Sequence, residues 1–241
     1  MNKQPLLSVV IPVHNEEMRL ANCLEQIIPY LCTRYKNNHE IVIVDNGSTD
    51  ETFSIARMYA YTYSSISALH LPIRGKGIAV KRGMLFAQGK YRYMCDVDLS
   101  TPIDELEKFF KYIIRDYDVV IGSREVDKGM VQSTSLRHFI GRAFHTFCNH
   151  LAPGVLDTQC GFKLFRGYAA EAIFHRLQLP SMAFDVEALF IARLLGYRIG
   201  EIPVQWQHNP DSRVNLVWDS LHMARDVITI PWLHMQTKIP V

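Results

Sequence analysis

The feature that most constrains the fold of this chain is a regular alternation between short apolar runs and stretches with helical spacing. The apolar runs are rich in β-branched residues, and apolar residues then recur every three or four positions. Strands are predicted at 6–13, 40–44, 66–71, 91–95 and 117–122, with helices between them, including one at 103–115. Strands that alternate with helices predict a single α/β domain with a mostly parallel sheet flanked by helices. Its functional loops should gather at the carboxyl ends of the strands.

Two aspartates follow the fourth predicted strand directly. Asp96 and Asp98 are one residue apart where the strand ends, so both carboxylates can turn toward one cation. A hard divalent ion held by one or two carboxylates completes its coordination with water and substrate phosphates. The pair therefore predicts Mg²⁺ or Mn²⁺ on a diphosphate. The alternative is a helix cap, in which Asp98 or Thr101 caps the helix that starts near Pro102.

Polar residues also follow the first two strands. His14 and Glu16 come after the first, and Asp45 comes after the second. Asp45 could accept hydrogen bonds from a ribose or a base N–H, or it could form an Asx-turn that includes Asn46. These loops should meet at one edge of the sheet.

A basic, glycine-containing turn follows the third strand. In Arg74-Gly75-Lys76-Gly77, two cations and two glycines open a helix, which suits the approach of diphosphate oxygens to a helix N-terminus. The spacing differs from that of the nucleotide-binding P-loop. A plain glycine turn with solvated basic residues is the alternative.

Composition limits the classes of function. The chain has 241 residues, of which 48% are hydrophobic and 21% charged, as expected for an α/β domain with a large core. The net charge of +2 is too small to indicate a nucleic-acid partner. The five cysteines contain no CxxC pair and predict reduced residues in a cytosolic protein. No run of eighteen apolar residues is present, so we expect peripheral rather than spanning contact with a membrane.

Four motifs, in this order, resemble one known family: Val9-Val-Ile-Pro-Val-His-Asn-Glu-Glu17, Val44-Asp-Asn-Gly-Ser-Thr-Asp50, Arg74-Gly-Lys-Gly77 and Asp96-Val-Asp98. They are similar to motifs of the family 2 inverting glycosyltransferases, which have the GT-A fold, a Rossmann-like α/β architecture. Two later motifs, Asp157-Thr-Gln-Cys-Gly-Phe-Lys-Leu-Phe165 and Ala183-Phe-Asp-Val-Glu187, resemble the branch that transfers glucose or mannose to dolichyl phosphate.

The resemblance implies roles for the matching positions. The nucleotide-sugar-binding positions would be Pro12, His14, Glu16, Asp45, Lys76, Gly77, Asp96, Val97, Asp157 and Gln159. The metal ligands would be Asp96 and Asp98, with Ser100 as a further candidate. The catalytic positions around the reacting phosphates would be Asp98, Arg124, Arg137, Lys163 and Arg213. Asp157 and Gln159 could instead anchor the turn before a strand at 162–165.

Two positions depart from the family pattern. Asn46 stands where many relatives have a second aspartate, and His14 stands where they often have an aromatic residue. Both positions bear on which nucleotide base is accepted.

The expected reaction moves a hexose, glucose, from a nucleotide sugar, UDP-glucose, to dolichyl or polyprenyl phosphate. The nucleophile would be a phosphate oxygen that is already anionic near neutral pH, so no strong general base is needed. The site must instead hold two repelling anions together, which a metal ion and arginines or lysines do electrostatically. The alternatives are GDP-mannose as donor, a soluble glycan acceptor with a carboxylate base beside the anomeric carbon, and a silent nucleotide-sugar-binding module.

The C-terminal part is predicted to form an amphipathic helix and tail at 214–241, after a catalytic domain at 1–213. Its apolar stripe, formed by Val217, Leu221, Ala224 and Ile228, could pack on its own domain, on a second subunit, or on the bilayer that presents the lipid. The polar loop 125–135 could be a mobile lid or an ordinary exposed loop. We expect a cytoplasmic protein, peripheral on the cytosolic face of a membrane, with oligomerisation left open.

Overall fold

A computed structural model describes residues 4–124, 151–207 and 216–235, without the side chains of 216–222. Arg137, Arg213 and the predicted lid at 125–135 lie outside the described residues, so their predicted roles stay predictions.

The described residues form a seven-stranded sheet with helices on both faces. The strands are β1 (Leu7–Val13), β2 (His39–Asn46), β3 (Ile66–Leu71), β4 (Tyr91–Met94), β5 (Val119–Ser123), β6 (Lys163–Arg166) and β7 (Ile199–Pro203). The helices are α1 (Glu17–Tyr35), α2 (Thr52–Thr62), α3 (Lys76–Phe86), α4 (Leu106–Ile113), α5 (Gly167–Arg176), α6 (Phe184–Leu194) and α7 (Leu216–Leu233). A short 3₁₀ turn, Ile103–Glu105, precedes α4.

The strand order is β3-β2-β1-β4-β6-β5-β7. Every neighbouring pair is parallel except those of β6, which runs antiparallel to β4 and β5. The predicted α/β class with a mostly parallel sheet is confirmed. Because β6 is reversed, it begins at the edge where β4 and β5 end, and Lys163 lies opposite Met94 and Ile121.

The core fills both faces of the sheet, which explains the uninterrupted apolar runs in the sequence. In β1, Val9 and Ile11 pack toward one helix layer with Leu24 of α1, whereas Val10 packs toward the other layer with Val80 of α3. All seven residues of β1 are buried. A strand covered on both faces needs no polar alternation.

The predicted helix at 103–115 is shorter than expected. It starts as the 3₁₀ turn and its α-helical part ends at Ile113. Asp116 has a φ of 67°, a left-handed conformation that a continuing α-helix does not contain. Neither Asp98 nor Thr101 caps this helix, since Pro102 occupies the cap position without a side-chain hydrogen bond. The capping alternative for Asp98 is therefore wrong.

A helix does lie in the C-terminal part, although the division at residue 213 falls outside the described residues and stays a prediction. Val227 and Ile230 of α7 pack against Ala183 and Val186 of the α6 region. Ile228, which we placed in the packing stripe, is instead 48% exposed. It lies about 100° around the helix from Val227 and nearly opposite Ile230, so it turns away from the face that packs on α6.

Four cysteines in the described parts are unpaired, and three of them, Cys23, Cys95 and Cys160, are buried as predicted. Cys32 is exposed.

Candidate active site

The acid pair lies where β4 ends, and its first member is paired with a lysine. Asp96 Oδ1 accepts a hydrogen bond of 2.7 Å from Nζ of Lys76, the first residue of α3. Burial alone would raise the pKa of Asp96, but Lys76 and, farther away, Lys163 and Arg124 hold that pKa below its usual range. Asp96 therefore stays ionised at neutral pH. The predicted basic turn and acid pair do come together.

The second acid is fixed by a tight turn. Asp98 Oδ1 accepts a hydrogen bond of 3.0 Å from the Ser100 backbone N–H, and Leu99 between them has a φ of 47°. This left-handed residue reverses the chain just after the strand, so the Asp98 carboxylate remains at the sheet edge. Val97 between the acids is largely buried and serves the core.

The carboxylates of Asp96 and Asp98 suit a metal ion that is bound partly by the protein and partly by a substrate. Its oxygens are the hard ligands that Mg²⁺ and Mn²⁺ take. Within residues 4–124, 151–207 and 216–235, no group of three or more His, Cys, Asp or Glu side chains is placed to hold a metal ion. Two carboxylates suit an ion that completes its shell with phosphate oxygens and water.

Arg124, one residue beyond β5, is clamped by Asp157. Its Nε and Nη2 donate to the two carboxylate oxygens of Asp157 at 2.7 and 2.8 Å, and its backbone N–H donates to Oδ2 at 3.0 Å. Glu201 of β7 accepts hydrogen bonds from the backbone N–H groups of Leu156 and Asp157, at 2.8 and 2.7 Å. Burial would raise the pKa of Asp157, yet Arg124 lowers it overall. This clamp fixes the plane of the guanidinium group.

The clamp changes the interpretation of two predicted sugar contacts. Both oxygens of Asp157 bind Arg124, which favours a positioning role over binding of sugar hydroxyls. The Gln159 amide lies 2.8 Å from the sulfur of Met223 in α7, so it contacts the C-terminal helix.

Lys163 is buried at the start of β6, opposite Met94 at the end of β4. It is 1% exposed and donates to Asp185 Oδ1 and to the Cys160 carbonyl. Burial raises the pKa of Asp185 although Lys163 and Lys76 oppose that shift. The predicted direct contact of Lys163 with the reacting phosphates does not fit this burial, and its effect reaches the site through the charge it places near Asp96. Asp185, in the last of the quoted motifs, is its counter-ion.

The loops after β1, β2 and β3 contact one another at the same edge of the sheet, on the other side of the acid pair from Arg124. Asp45 is fully buried, and its Oδ2 lies 2.7 Å from His70 Nδ1 while Oδ1 accepts from Ser48 N–H at 3.3 Å. The bond to Ser48 spans three residues rather than the two of an Asx-turn, so the predicted Asx-turn is not what the structure shows, and the contact with His70 was not predicted. His14 Nδ1 lies 2.9 Å from the Asn46 carbonyl.

Asn46 links these loops to the basic turn. Its Oδ1 accepts a hydrogen bond of 2.7 Å from Gly75 N–H. The position that departs from the family pattern thus has a structural contact of its own. Pro12 lies buried near the end of β1, paired with Val44, and Glu16 lies 3.4 Å from Arg19.

The sequence model described as Glycosyl transferase family 2 matches residues 8–174, which include all of β1 except its first residue, β2 to β6 and the acid pair. This chain belongs to glycosyl transferase family 2. The predicted family is confirmed, and with it the prediction that the protein is a transferase.

Relatives within this family match nearly the whole chain. The dolichyl-phosphate beta-glucosyltransferase of Dictyostelium discoideum is 36% identical over 253 residues, covering 97% of this chain and 77% of the relative. The Homo sapiens protein of the same description is 34% identical over 240 residues, covering 93% of this chain and 74% of the relative. The Saccharomyces cerevisiae protein is 33% identical over 250 residues, covering 95% and 75%.

Solved structures confirm the GT-A fold of this glycosyltransferase. Glucosyl-3-phosphoglycerate synthase from Mycobacterium tuberculosis in complex with UDP superposes with a TM-score of 0.68 at 19% identity, covering 98% of this chain and 82% of that chain. The same enzyme in complex with Mn²⁺, UDP-glucose and phosphoglyceric acid gives a TM-score of 0.67 at 18% identity, covering 98% and 81%. At such low identity the likeness is one of fold.

Three residues that contact the predicted site residues were not predicted from the sequence. His70 reaches Asp45 because these two residues pair across β2 and β3, and only the strand register reveals this. Glu201 reaches the Asp157 loop from β7, 44 residues later. Gly161 lies in a motif we quoted without a role, yet a Cβ there would stand 1.8 Å from Asp96 Oδ2. The signal that could have found it is a glycine inside a quoted motif, where only a residue without a side chain can pack against the Asp96 carboxylate.

Gly77, next to Lys76, is needed for a close approach between two backbone segments. At Gly77 a Cβ would lie 2.2 Å from the Leu179 carbonyl, and its backbone N–H donates to the Pro180 carbonyl at 2.9 Å. The segment 177–182 therefore supports the turn that presents Lys76.

Proposed function

We propose that this glycosyltransferase moves glucose from UDP-glucose to dolichyl phosphate or a related polyprenyl phosphate, with inversion at the anomeric carbon. The observation that carries the choice of acceptor is the pairing of acids with cations along the site edge. Asp96 pairs with Lys76, Asp157 with Arg124, and Asp185 with Lys163. Of these three cations, Lys76 and Arg124 keep 30% and 37% of their side chains exposed, so they can meet an anionic acceptor, whereas Lys163 is buried. Asp157, the carboxylate bound to Arg124, has both oxygens engaged by that arginine and is not placed to act as a base.

The acceptor chemistry follows from that charge pattern. An oxygen of the acceptor phosphate forms the new bond to the anomeric carbon while the bond from that carbon to the UDP oxygen breaks. UDP leaves with the electron pair, and no proton has to be removed because the acceptor phosphate is already anionic. Lys76 and Arg124 reduce the repulsion between the two phosphate groups, which is the largest obstacle to their approach.

Two kinds of observation support UDP-glucose as the donor: the loops that follow β1, β2 and β3, and the proteins to which this chain is similar. Interlocked loops with Asp45, His14 and Asn46 line the place where a nucleoside would lie. Relatives at 33–36% identity are described as beta-glucosyltransferases of dolichyl phosphate, and neighbours of the same fold were crystallised with UDP-glucose.

Asp96 and Asp98 would hold the divalent cation, with Ser100 close to Asp98. The ion, when bound, would neutralise the departing diphosphate. A neighbour of the same fold crystallised with Mn²⁺ and UDP-glucose is consistent with Mg²⁺ or Mn²⁺ here.

We place this activity at the cytosolic face of a membrane, where the lipid acceptor is presented. In the described part of the chain no helix is both long and apolar enough to cross a bilayer. The end of α7 exposes Trp232 by 65% and Met235 by 74%, with Leu233 partly exposed. Such residues can enter the headgroup region of a bilayer. A contact with a second subunit would use the same surface and remains the alternative.

The deciding experiment measures transfer of radiolabelled sugar from UDP-glucose and from GDP-mannose to a short polyprenyl phosphate. Each donor is tested with Mg²⁺, with Mn²⁺ and with EDTA. We expect metal-dependent transfer from UDP-glucose that is lost in the Asp96→Asn and Asp98→Asn variants. A preference for GDP-mannose would replace the proposed donor. Absence of transfer from either donor by folded protein would refute the polyprenyl-phosphate acceptor.

A further inference from the structure

Trp206 is a large aromatic residue at the site edge to which the proposed reaction gives no role. It lies three residues beyond the end of β7, and 40% of its surface is exposed. The guanidinium carbon of Arg124 lies 5.8 Å from the centre of its ring, within the range of a cation–π contact. An apolar surface thus stands directly beside a cation of the site.

The backbone on both sides of Trp206 is fixed to two parts of the edge. Val204 N–H donates to the Ser123 carbonyl at 3.2 Å, next to Arg124, and Gln207 N–H donates to the Ser100 carbonyl at 2.8 Å, next to the acid pair. The segment 204–207 therefore runs from the Arg124 side to the Asp98 turn. A side chain on so restrained a backbone is preorganised to meet a ligand.

The order of the strands tells which substrate would meet this surface. In the proposed function the nucleoside lies at the loops that follow β1, β2 and β3, which we call the nucleoside loops. The acid pair follows β4. Arg124 and Trp206 follow β5 and β7, on the opposite side of β4. With β6 in between, β5 is two strand spacings from β4, roughly 10 Å. A donor that extends from the nucleoside loops to the acid pair leaves the β5–β7 side to the acceptor.

Arg124 can still bind an anion on that side. Asp157 engages its Nε and Nη2, and 37% of the Arg124 side chain is exposed. Among the described residues no hydrogen bond of Nη1 is found, so this group can donate to a phosphate oxygen in the fixed plane that the clamp imposes.

We propose that Arg124 and Trp206 together select the acceptor as a phosphate ester of a hydrocarbon chain. Arg124 binds the phosphate, and the exposed indole face covers the first carbons of the chain. A hydrophilic phosphate ester gains the contact with Arg124 but not the apolar one, so it binds more weakly. This inference rests on the proposed polyprenyl-phosphate acceptor and names the residue that distinguishes this acceptor from a soluble phosphate.

The test compares wild type with the variants Trp206→Ala and Trp206→Phe, using citronellyl phosphate as a short acceptor and glycerol 3-phosphate as a hydrophilic one. In Trp206→Ala we expect KM for citronellyl phosphate to rise about tenfold, the order expected when roughly 50 Å² of apolar contact is lost. The kcat should stay within about twofold, since the phosphate contact and the donor site are intact. Trp206→Phe should restore most of the affinity because it retains an aromatic face.

Two further measurements separate recognition from damage to the fold. Binding of UDP-glucose and of citronellyl phosphate is measured by calorimetry on each variant, with Tyr61→Ala as control because Tyr61 of α2 is 95% exposed. We expect Trp206→Ala to weaken citronellyl phosphate binding alone, and Tyr61→Ala to change neither ligand.

The possible failures are distinguishable. If wild type transfers glucose to citronellyl phosphate and Trp206→Ala has the same KM, the proposed function stands and the inference about Trp206 is refuted. If Trp206→Ala instead weakens UDP-glucose binding, the indole belongs to the donor site and the inference is also wrong. If wild type neither transfers to citronellyl phosphate nor binds it, both proposals fail.

Discussion

At the scale of single residues, the site depends on neighbours that keep charged groups in place. Gly161 gives the Asp96 carboxylate its space, Asp157 holds Arg124, and Glu201 holds Asp157. The charged residues in contiguous motifs, Asp96 and Asp98, could be predicted from the sequence. Their supports could not, because they depend on which strands are neighbours.

Gly161→Ala should strongly reduce activity and leave the fold largely intact. The new methyl group would stand 1.8 Å from Asp96 Oδ2, so the carboxylate must move away from Lys76 and the diphosphate position. We expect kcat/KM to fall on the order of 100-fold, as for a displaced catalytic group. Steady-state rates for transfer from UDP-glucose measure this.

Gly196→Ala is the matched control. Gly196 has a φ of 76° and no atom within 4 Å of the added methyl, so the substitution strains the backbone after α6 away from the site. It should lower the free energy of unfolding by about 1 kcal/mol and leave kcat/KM unchanged. Equal activity losses in both variants would contradict the specific role of Gly161.

Asp157→Asn tests the arginine clamp and its dependence on pH. Arg124 lowers the pKa of Asp157 below the unfolded value of about 3.9, so the ionised clamp stabilises the fold above that pH. This contribution is lost as the pH falls through the lowered pKa. We expect Asp157→Asn to lower the free energy of unfolding by about 2 kcal/mol at pH 7. This is less than for a fully buried ion pair because Arg124 is partly exposed.

Denaturant unfolding of both proteins between pH 3 and pH 8 measures the difference. It should be constant from pH 5 to pH 8 and shrink below about pH 4. A difference that instead shrinks toward pH 8 would show that the carboxylate is not ionised in the folded state.

At the scale of elements, the reversed strand β6 is what the sequence did not predict. Its apolar run resembles those of the parallel strands, so periodicity gives no direction. The reversal brings Lys163 to the site edge and buries it against Asp185. Helix positions were easier to predict because apolar spacing marks them, although in α7 the buried residues are Val227 and Ile230 rather than Ile228.

Glu187 of α6 connects α7 to the turn that carries Lys76. Its fully buried carboxylate accepts from the N–H groups of Gln178 and Leu179 and lies 2.8 Å from His234 Nε2. Glu187→Ala leaves these donors unsatisfied and should lower the free energy of unfolding by about 3 kcal/mol. Thermal and denaturant unfolding measure this.

His175→Ala is the control for Glu187→Ala, since His175 pairs with Glu171 on the surface, where its side chain is 62% exposed. It should shift stability by less than about 0.5 kcal/mol. If Glu187→Ala were as mild as this control, the carboxylate would not be the connection that the contacts indicate.

At the scale of the whole molecule, one edge of the sheet carries the loops after β3, β2 and β1, then the acid pair after β4, and then the arginine clamp after β5. The α/β fold and the position of the acid pair were predictable because alternating elements imply parallel strands with functional loops at one edge. The order of loops along that edge depends on strand order, which the sequence pattern leaves open. The family resemblance supplied expectations for the substrates, not for these contacts.

The exposed end of α7 is the proposed membrane contact. Replacing Trp232 and Met235 together by serine removes apolar surface that would otherwise enter the headgroup region. We expect binding to vesicles of phosphatidylcholine and phosphatidylserine to fall by about tenfold in sedimentation assays. Tyr61→Ser on α2 should bind as wild type does. Unchanged binding by the double variant would assign the surface to another contact.

The most direct test of the proposed reaction is the anomeric configuration of its product. Wild-type protein is incubated with UDP-glucose, Mg²⁺ and citronellyl phosphate, and the product is analysed by proton and phosphorus NMR. In-line attack by the acceptor phosphate predicts a β-linked glucosyl phosphate ester together with UDP, and neither when EDTA replaces the metal. An α-linked product, or glucose attached to a hydroxyl rather than to phosphate, would contradict the proposed mechanism.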